Sequence, residues 1–128
     1  MNRIAVDVVL LPETDMAARA IALNRTLVEK YDSDIVLDSA DCLPHVSLAM
    51  GCIQLDALGD IAAELERVRQ SHPVTQLHVK RINSQAQHGG SIVSSIGLQV
   101  RDALQQLHVQ IMDKLAPYFS YDVTESMF

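Results

Sequence analysis

A strand-type apolar run followed by a helical stripe occurs twice in this chain, and that repetition limits its architecture more than any other feature. Ile4 to Leu11 is β-rich and ends at Pro12, with Ile4, Val6, Val8 and Leu10 on one face and Ala5, Asp7 and Val9 on the other. From Thr14 or Asp15 as a cap, apolar positions recur at Met16, Ala20, Leu23 and Leu27, which predicts a helix to about Tyr31. Near the other end, Ile92, Ile96 and Leu98 alternate with Val93, Ser95, Gly97 and Gln99. A helix predicted over 102–119 then carries Leu104, Leu107, Ile111 and Leu115 on one face, with Pro117 as its stop. His108 falls within that stripe and reads as a histidine packed at the helix edge.

Between the two copies, Asp34 to Leu37 predicts a short strand, and Leu43 to Gly51 predicts a longer one. Asp56 can cap a helix that buries Leu58, Ile61, Ala62, Leu65 and Val68, ends at His72-Pro73, and pairs Glu64 with Arg67 and Glu66 with Arg69 on its surface. Val74 to Asn83 alternates as a strand, with Leu77 and Val79 on one side and Gln76, His78 and Lys80 on the other. Gln87-His88-Gly89-Gly90 then turns the chain into the Ile92 strand. The expectation is an α+β fold, antiparallel sheets with helices packed on one face, in a single domain over 1–128.

Composition excludes several classes. With 48% hydrophobic residues in 128, the chain can bury one core, and disorder is not expected. No run approaches about 18 apolar residues, so no membrane partner is expected, and the strand-like N-terminus argues against a secretory signal. The formal net charge is −6 with scattered basic residues, which disfavours binding to long duplex nucleic acid. Cys42 and Cys52 flank the run from Leu43 to Gly51; in an extended chain they lie about 33 Å apart, too far for a disulfide. Reduced thiols fit a cytoplasmic protein. The five histidines show no H-x-H or H-E-x-x-H spacing, so no metal and no cofactor are expected.

The run Leu43-Pro44-His45-Val46-Ser47-Leu48-Ala49-Met50-Gly51 holds the chemistry. As a strand it turns Val46, Leu48 and Met50 one way and His45, Ser47 and Ala49 the other, with the His45 and Ser47 Cα atoms about 6.6 to 6.8 Å apart. An imidazole that exchanges a proton near neutral pH beside a hydroxyl that donates to an anionic oxygen suits a phosphate ester. It suits a carbonyl carbon less, because no nucleophile elbow, Gly-rich oxyanion loop or activated cysteine surrounds it.

The arrangement Pro44-His45-x-Ser47-Leu48-x-x-Gly51 resembles the first signature of the 2H phosphoesterase superfamily, which includes the 2′-5′ RNA ligase-like proteins and cyclic phosphodiesterases. The resemblance covers the element order of the chain and one of two diagnostic motifs. It implies a duplicated, two-lobed β-α-β arrangement, each lobe carrying an H-x-T/S pair, and metal-independent cleavage of 2′,3′-cyclic or 2′,5′-linked nucleotide or RNA-terminal phosphodiesters. His45 would be one acid/base and Ser47 one phosphate clamp; the lobes would face each other, with His78, Lys80, Ser95 and Asp7 toward the substrate, and with His78 and Lys80 as binding residues. A second H-x-T/S is expected on a strand after the last helix. His78-Val79-Lys80 and His108-Val109-Gln110 share the spacing but lack the hydroxyl. Three readings follow: a C-terminally truncated sequence, which is the one favoured, a shortened member without activity, or a half-site completed in a homodimer. The rival class is a non-catalytic nucleotide-binding or oligomerising α+β module.

Overall fold

The computed structural model describes residues 2–127. In chain order the elements are strand β1 (Arg3–Leu10), helix α1 (Thr14–Lys30), strand β2 (Val46–Gln54), a 3₁₀ turn (Leu55–Ala57), helix α2 (Leu58–Ser71), strands β3 (Val79–Ala86) and β4 (Ile92–Leu98), helix α3 (Asp102–Leu115) and a 3₁₀ turn (Glu125–Met127). The fold is α+β, with two antiparallel two-stranded sheets, β1-β2 and β3-β4. Two compact units result. One comprises the chain up to Leu55 together with the segment from Phe119 onward, and the other runs from Asp56 to Tyr118.

In the first unit β1 and β2 pair from Arg3 opposite Gln54 to Leu10 opposite Val46. The register shifts where Val8 faces Ala49 and Val9 faces Ser47, which leaves Leu48 as the extra residue of a β-bulge. The predicted alternation fails there. Leu48 and Ala49 are both buried, whereas Met50, expected on the face of Leu48, is 63% exposed. Beyond the bulge Cys52 and Ile53 are again buried. On the other side of β2, Ser120 pairs with Cys52, each amide donating to the other's carbonyl at 2.8 and 2.9 Å. The ring of Phe119 lies over Gly51, where a Cβ would come within 2.8 Å of it.

Helix α1 starts one residue earlier than the caps expected at Thr14 or Asp15, with Glu13 at the N-cap and no side-chain cap bond. None of its side chains is fully buried. The strand predicted at Asp34 to Leu37 is absent. Instead the Asn24 amide holds this segment from α1: Nδ2 donates to the Ile35 carbonyl at 3.0 Å, and the Leu37 amide donates to Oδ1 at 2.8 Å. One side chain thus supplies the donor and acceptor of a neighbouring strand.

In the second unit α2 and α3 pack together. Their buried residues, Ile61 and Val68 with Leu107, Ile111 and Leu115, follow helical spacing. Asp56 does not cap α2, because Leu55–Ala57 forms a 3₁₀ turn that leaves Ala57 at the N-cap. Glu66 makes two hydrogen bonds with Arg69, which hold its carboxyl below the usual range. Helix α3 ends at Leu115, short of the predicted 119. Residues 74–78 lie outside β3, whose strand starts later than expected and runs on to Ala86. Gly89 and Gly90, with φ of 88° and 86°, make the turn into β4.

Candidate functional site

The β1-β2 sheet brings two polar side chains, those of Ser47 and His45, to the one carboxylate of Asp7. Arg3, Ala5, Asp7 and Val9 share a face of β1, and the bulge at Leu48 brings Ser47 opposite Val9, diagonal to Asp7 on that same face. The Ser47 hydroxyl donates to Asp7 Oδ2 at 2.7 Å. His45 precedes β2 by one residue, and its Nε2 lies 3.6 Å from the same oxygen. The side chains of His45 and Asp7 are 43% and 29% exposed, so solvent and ligands reach both.

The other imidazole nitrogen is fixed. His45 Nδ1 lies 2.7 Å from the Leu43 carbonyl oxygen. A carbonyl only accepts, so Nδ1 carries the hydrogen, and the neutral ring has its lone pair at Nε2. The Asp38 loop leads into this contact. Its carboxylate Oδ1 accepts from the amides of Ala40, Asp41 and Cys42 at 2.8, 2.7 and 3.1 Å. The Asp38 amide also donates to the Cys42 carbonyl at 3.0 Å, which closes the loop just before Leu43.

This is not a nucleophilic triad. In a triad the histidine stands between serine and carboxylate and takes the hydroxyl proton. Here the carboxylate stands between, and the Ser47 proton goes to Asp7. The chemistry open to the group is proton exchange at Nε2 and hydrogen bonding from a hydroxyl that can turn toward a ligand oxygen.

His78 and Lys80 lie in the second unit. The His78 carbonyl accepts from the Gln99 amide at 2.8 Å, which continues the β3-β4 ladder, and the residue borders a hollow of about 190 Å³ with Gln76, Gln99 and Arg101. Lys80 is itself a bulge residue, because Val79 faces Leu98 and Arg81 faces Gly97. The alternation expected through Lys80 therefore breaks, and Arg81 and Asn83, not Lys80, share the face of Gly97 and Ser95. Lys80, Arg81, Asn83 and Gly97 line a groove of about 370 Å³.

Sequence periodicity placed Asp7 on the correct face but not as the shared acceptor, and it missed Arg81 and Asn83. The usable signal for Asp7 was its standing as the one charge between Ile4 and Leu11. Among the described residues no group of three His, Cys, Asp or Glu side chains could hold a metal ion, and both cysteines are free. No protein-family model, curated protein or solved structure gives a significant match to this chain.

Proposed function

We propose that the chain is a metal-independent phosphodiesterase of the 2H type, with that superfamily's duplicated β-α-β arrangement, acting on 2′,3′-cyclic or 2′,5′-linked nucleotide or RNA-terminal phosphodiesters. The observation that carries this reading is the 2.7 Å contact of His45 Nδ1 with the Leu43 carbonyl oxygen, from which the tautomer of the neutral ring follows. With Nδ1–H committed to the Leu43 carbonyl, Nε2 is the atom that exchanges protons, beside a hydroxyl and open to solvent.

In the proposed step the His45 Nε2 lone pair takes the proton of an attacking water or hydroxyl as its oxygen bonds to phosphorus. The ester P–O bond breaks, and the leaving oxygen takes a proton from a second acid. Ser47 turns from Asp7 to donate to a non-bridging phosphate oxygen, where charge grows in the transition state. His45 is the one histidine of the first unit, and the second acid of a 2H site is the histidine of a second H-x-T/S pair, expected after the last helix or from a partner chain. His78 and Lys80 are proposed to bind substrate, as tested by their own alanine variants.

The deciding experiment is His45→Ala. Turnover of 2′,3′-cyclic AMP and of a 2′,5′-linked dinucleotide should fall by about 10² to 10⁴ with an unchanged circular dichroism spectrum. Turnover equal to wild type would remove His45 from the reaction. The Asp7 carboxylate opposes an anionic phosphate at Ser47 and so favours a second reading, a non-catalytic oligomerising α+β module with an incomplete site. That reading predicts no product from wild type with either substrate.

A further inference from the structure

We infer that the groove of the second unit is a binding site for a phosphomonoester, held by Lys80, Arg81, Asn83 and Gln99. The site belongs to the second unit alone and stands whether or not His45 and Ser47 turn over a phosphodiester. Lys80-Arg81 is the one place in the sequence where two basic residues are adjacent. Strict alternation would put their side chains on opposite faces of β3. The bulge between Val79 and Arg81 breaks that alternation, and both residues border the same groove of about 370 Å³. That volume falls within the range of about 300 to 1,000 Å³ found for small-molecule sites.

The groove offers positive charge and hydrogen-bond donors, and no carboxylate stands among the residues that line it. Arg67 and Arg69 are paired with Glu64 and Glu66, whereas Lys80 and Arg81 make no ion pair with the described residues. Opposite Arg81, Gly97 has no side chain, and the Asn83 amide nitrogen fills the space that a Cβ would take there. Gln99 Oε1 accepts from the Arg101 guanidinium at 3.4 Å, which leaves the Nε2 hydrogens of that amide for a ligand. Two cations and two amide nitrogens match a group with nearly two negative charges and several acceptor oxygens. A phosphomonoester has both, about −1.5 to −2 at pH 7 on three oxygens, whereas a phosphodiester carries a single charge. The planar fork of Arg81 takes two of those oxygens at once, and Lys80 adds a point charge.

Isothermal titration calorimetry of the full chain with AMP, 3′,5′-cyclic AMP and adenosine tests the site. AMP should bind roughly 10-fold or more tighter than the cyclic diester, and adenosine more weakly than either. Arg81→Ala and Lys80→Ala, both at exposed positions, should each weaken AMP binding by roughly 10-fold with unchanged circular dichroism spectra. Arg81→Lys should recover only part of the loss, because an ammonium keeps the charge without the fork. His45→Ala should bind AMP as wild type does. AMP binding no tighter than that of adenosine overturns the assignment, as does wild-type affinity in Arg81→Ala. Loss of AMP binding in His45→Ala would place the phosphate in the first unit and overturn it too. Absence of phosphodiester turnover alongside AMP binding that needs Arg81 would remove the phosphodiesterase reading and uphold this site.

Discussion

Three backbone amides donate to one oxygen of Asp38, and the loop they close delivers the Leu43 carbonyl to His45. These bonds, that from Ala40 foremost, favour the ionised carboxylate and hold its pKa below the ordinary aspartate value. A carboxyl with a depressed folded pKa contributes stability that is fully present above its unfolded value, about 3.9, and is lost as pH falls through the folded value. The melting temperature of wild type should therefore exceed that of Asp38→Ala at neutral pH, with the gap narrowing below about pH 4. A gap that stays constant into strong acid would show that the charged form of Asp38 contributes nothing. At this scale the sequence was readable for His45 and Ser47, whose spacing placed them together. It was silent on Asp38 and on the tautomer, because both depend on backbone groups that no side-chain pattern encodes.

Two bulges account for most of what periodicity missed at the scale of elements. Alternation assumes one residue per step, so an extra residue at Leu48 or Lys80 reverses the facing of everything beyond it. Strand and helix types were legible from the runs at Ile4, Ile92 and Met16, whereas Met50 and Lys80 were misassigned for this one reason. The strand expected at Asp34 failed differently, since Asn24 satisfies Ile35 and Leu37 without a ladder. Strand β2 also explains the glycine that closes the motif. The Phe119 ring occupies the space a Cβ would need at Gly51, so Gly51→Ala should destabilise the fold by about 1–3 kcal/mol. In a Phe119→Ala background the same substitution should cost much less, as a double-mutant cycle of urea unfolding would show. Equal costs in both backgrounds would place the strain elsewhere.

For the whole molecule, the sequence order of strands and helices foretold the α+β class, but not that the segment from Phe119 returns to the first unit through Ser120. That pairing joins residues far apart in the chain, and local patterning carries no record of it. Charge was legible at this scale and sets a limit on partners. A net charge of −6 repels a polyanion, and Arg67 and Arg69 are already paired with Glu64 and Glu66. Lys80 and Arg81, in the groove of the second unit, can neutralise two phosphates of a short strand. Binding of a short single-stranded oligonucleotide through them should weaken with salt no more steeply than a slope of about −1.4 in log K against log salt, from about −0.7 per phosphate. A random 20-base-pair duplex should show no saturable binding below about 100 µM at physiological salt, measured by fluorescence anisotropy. Low-micromolar duplex binding with a steep salt slope would mean that a larger basic surface forms in solution, and the preference for a small or terminal phosphodiester would have to be abandoned.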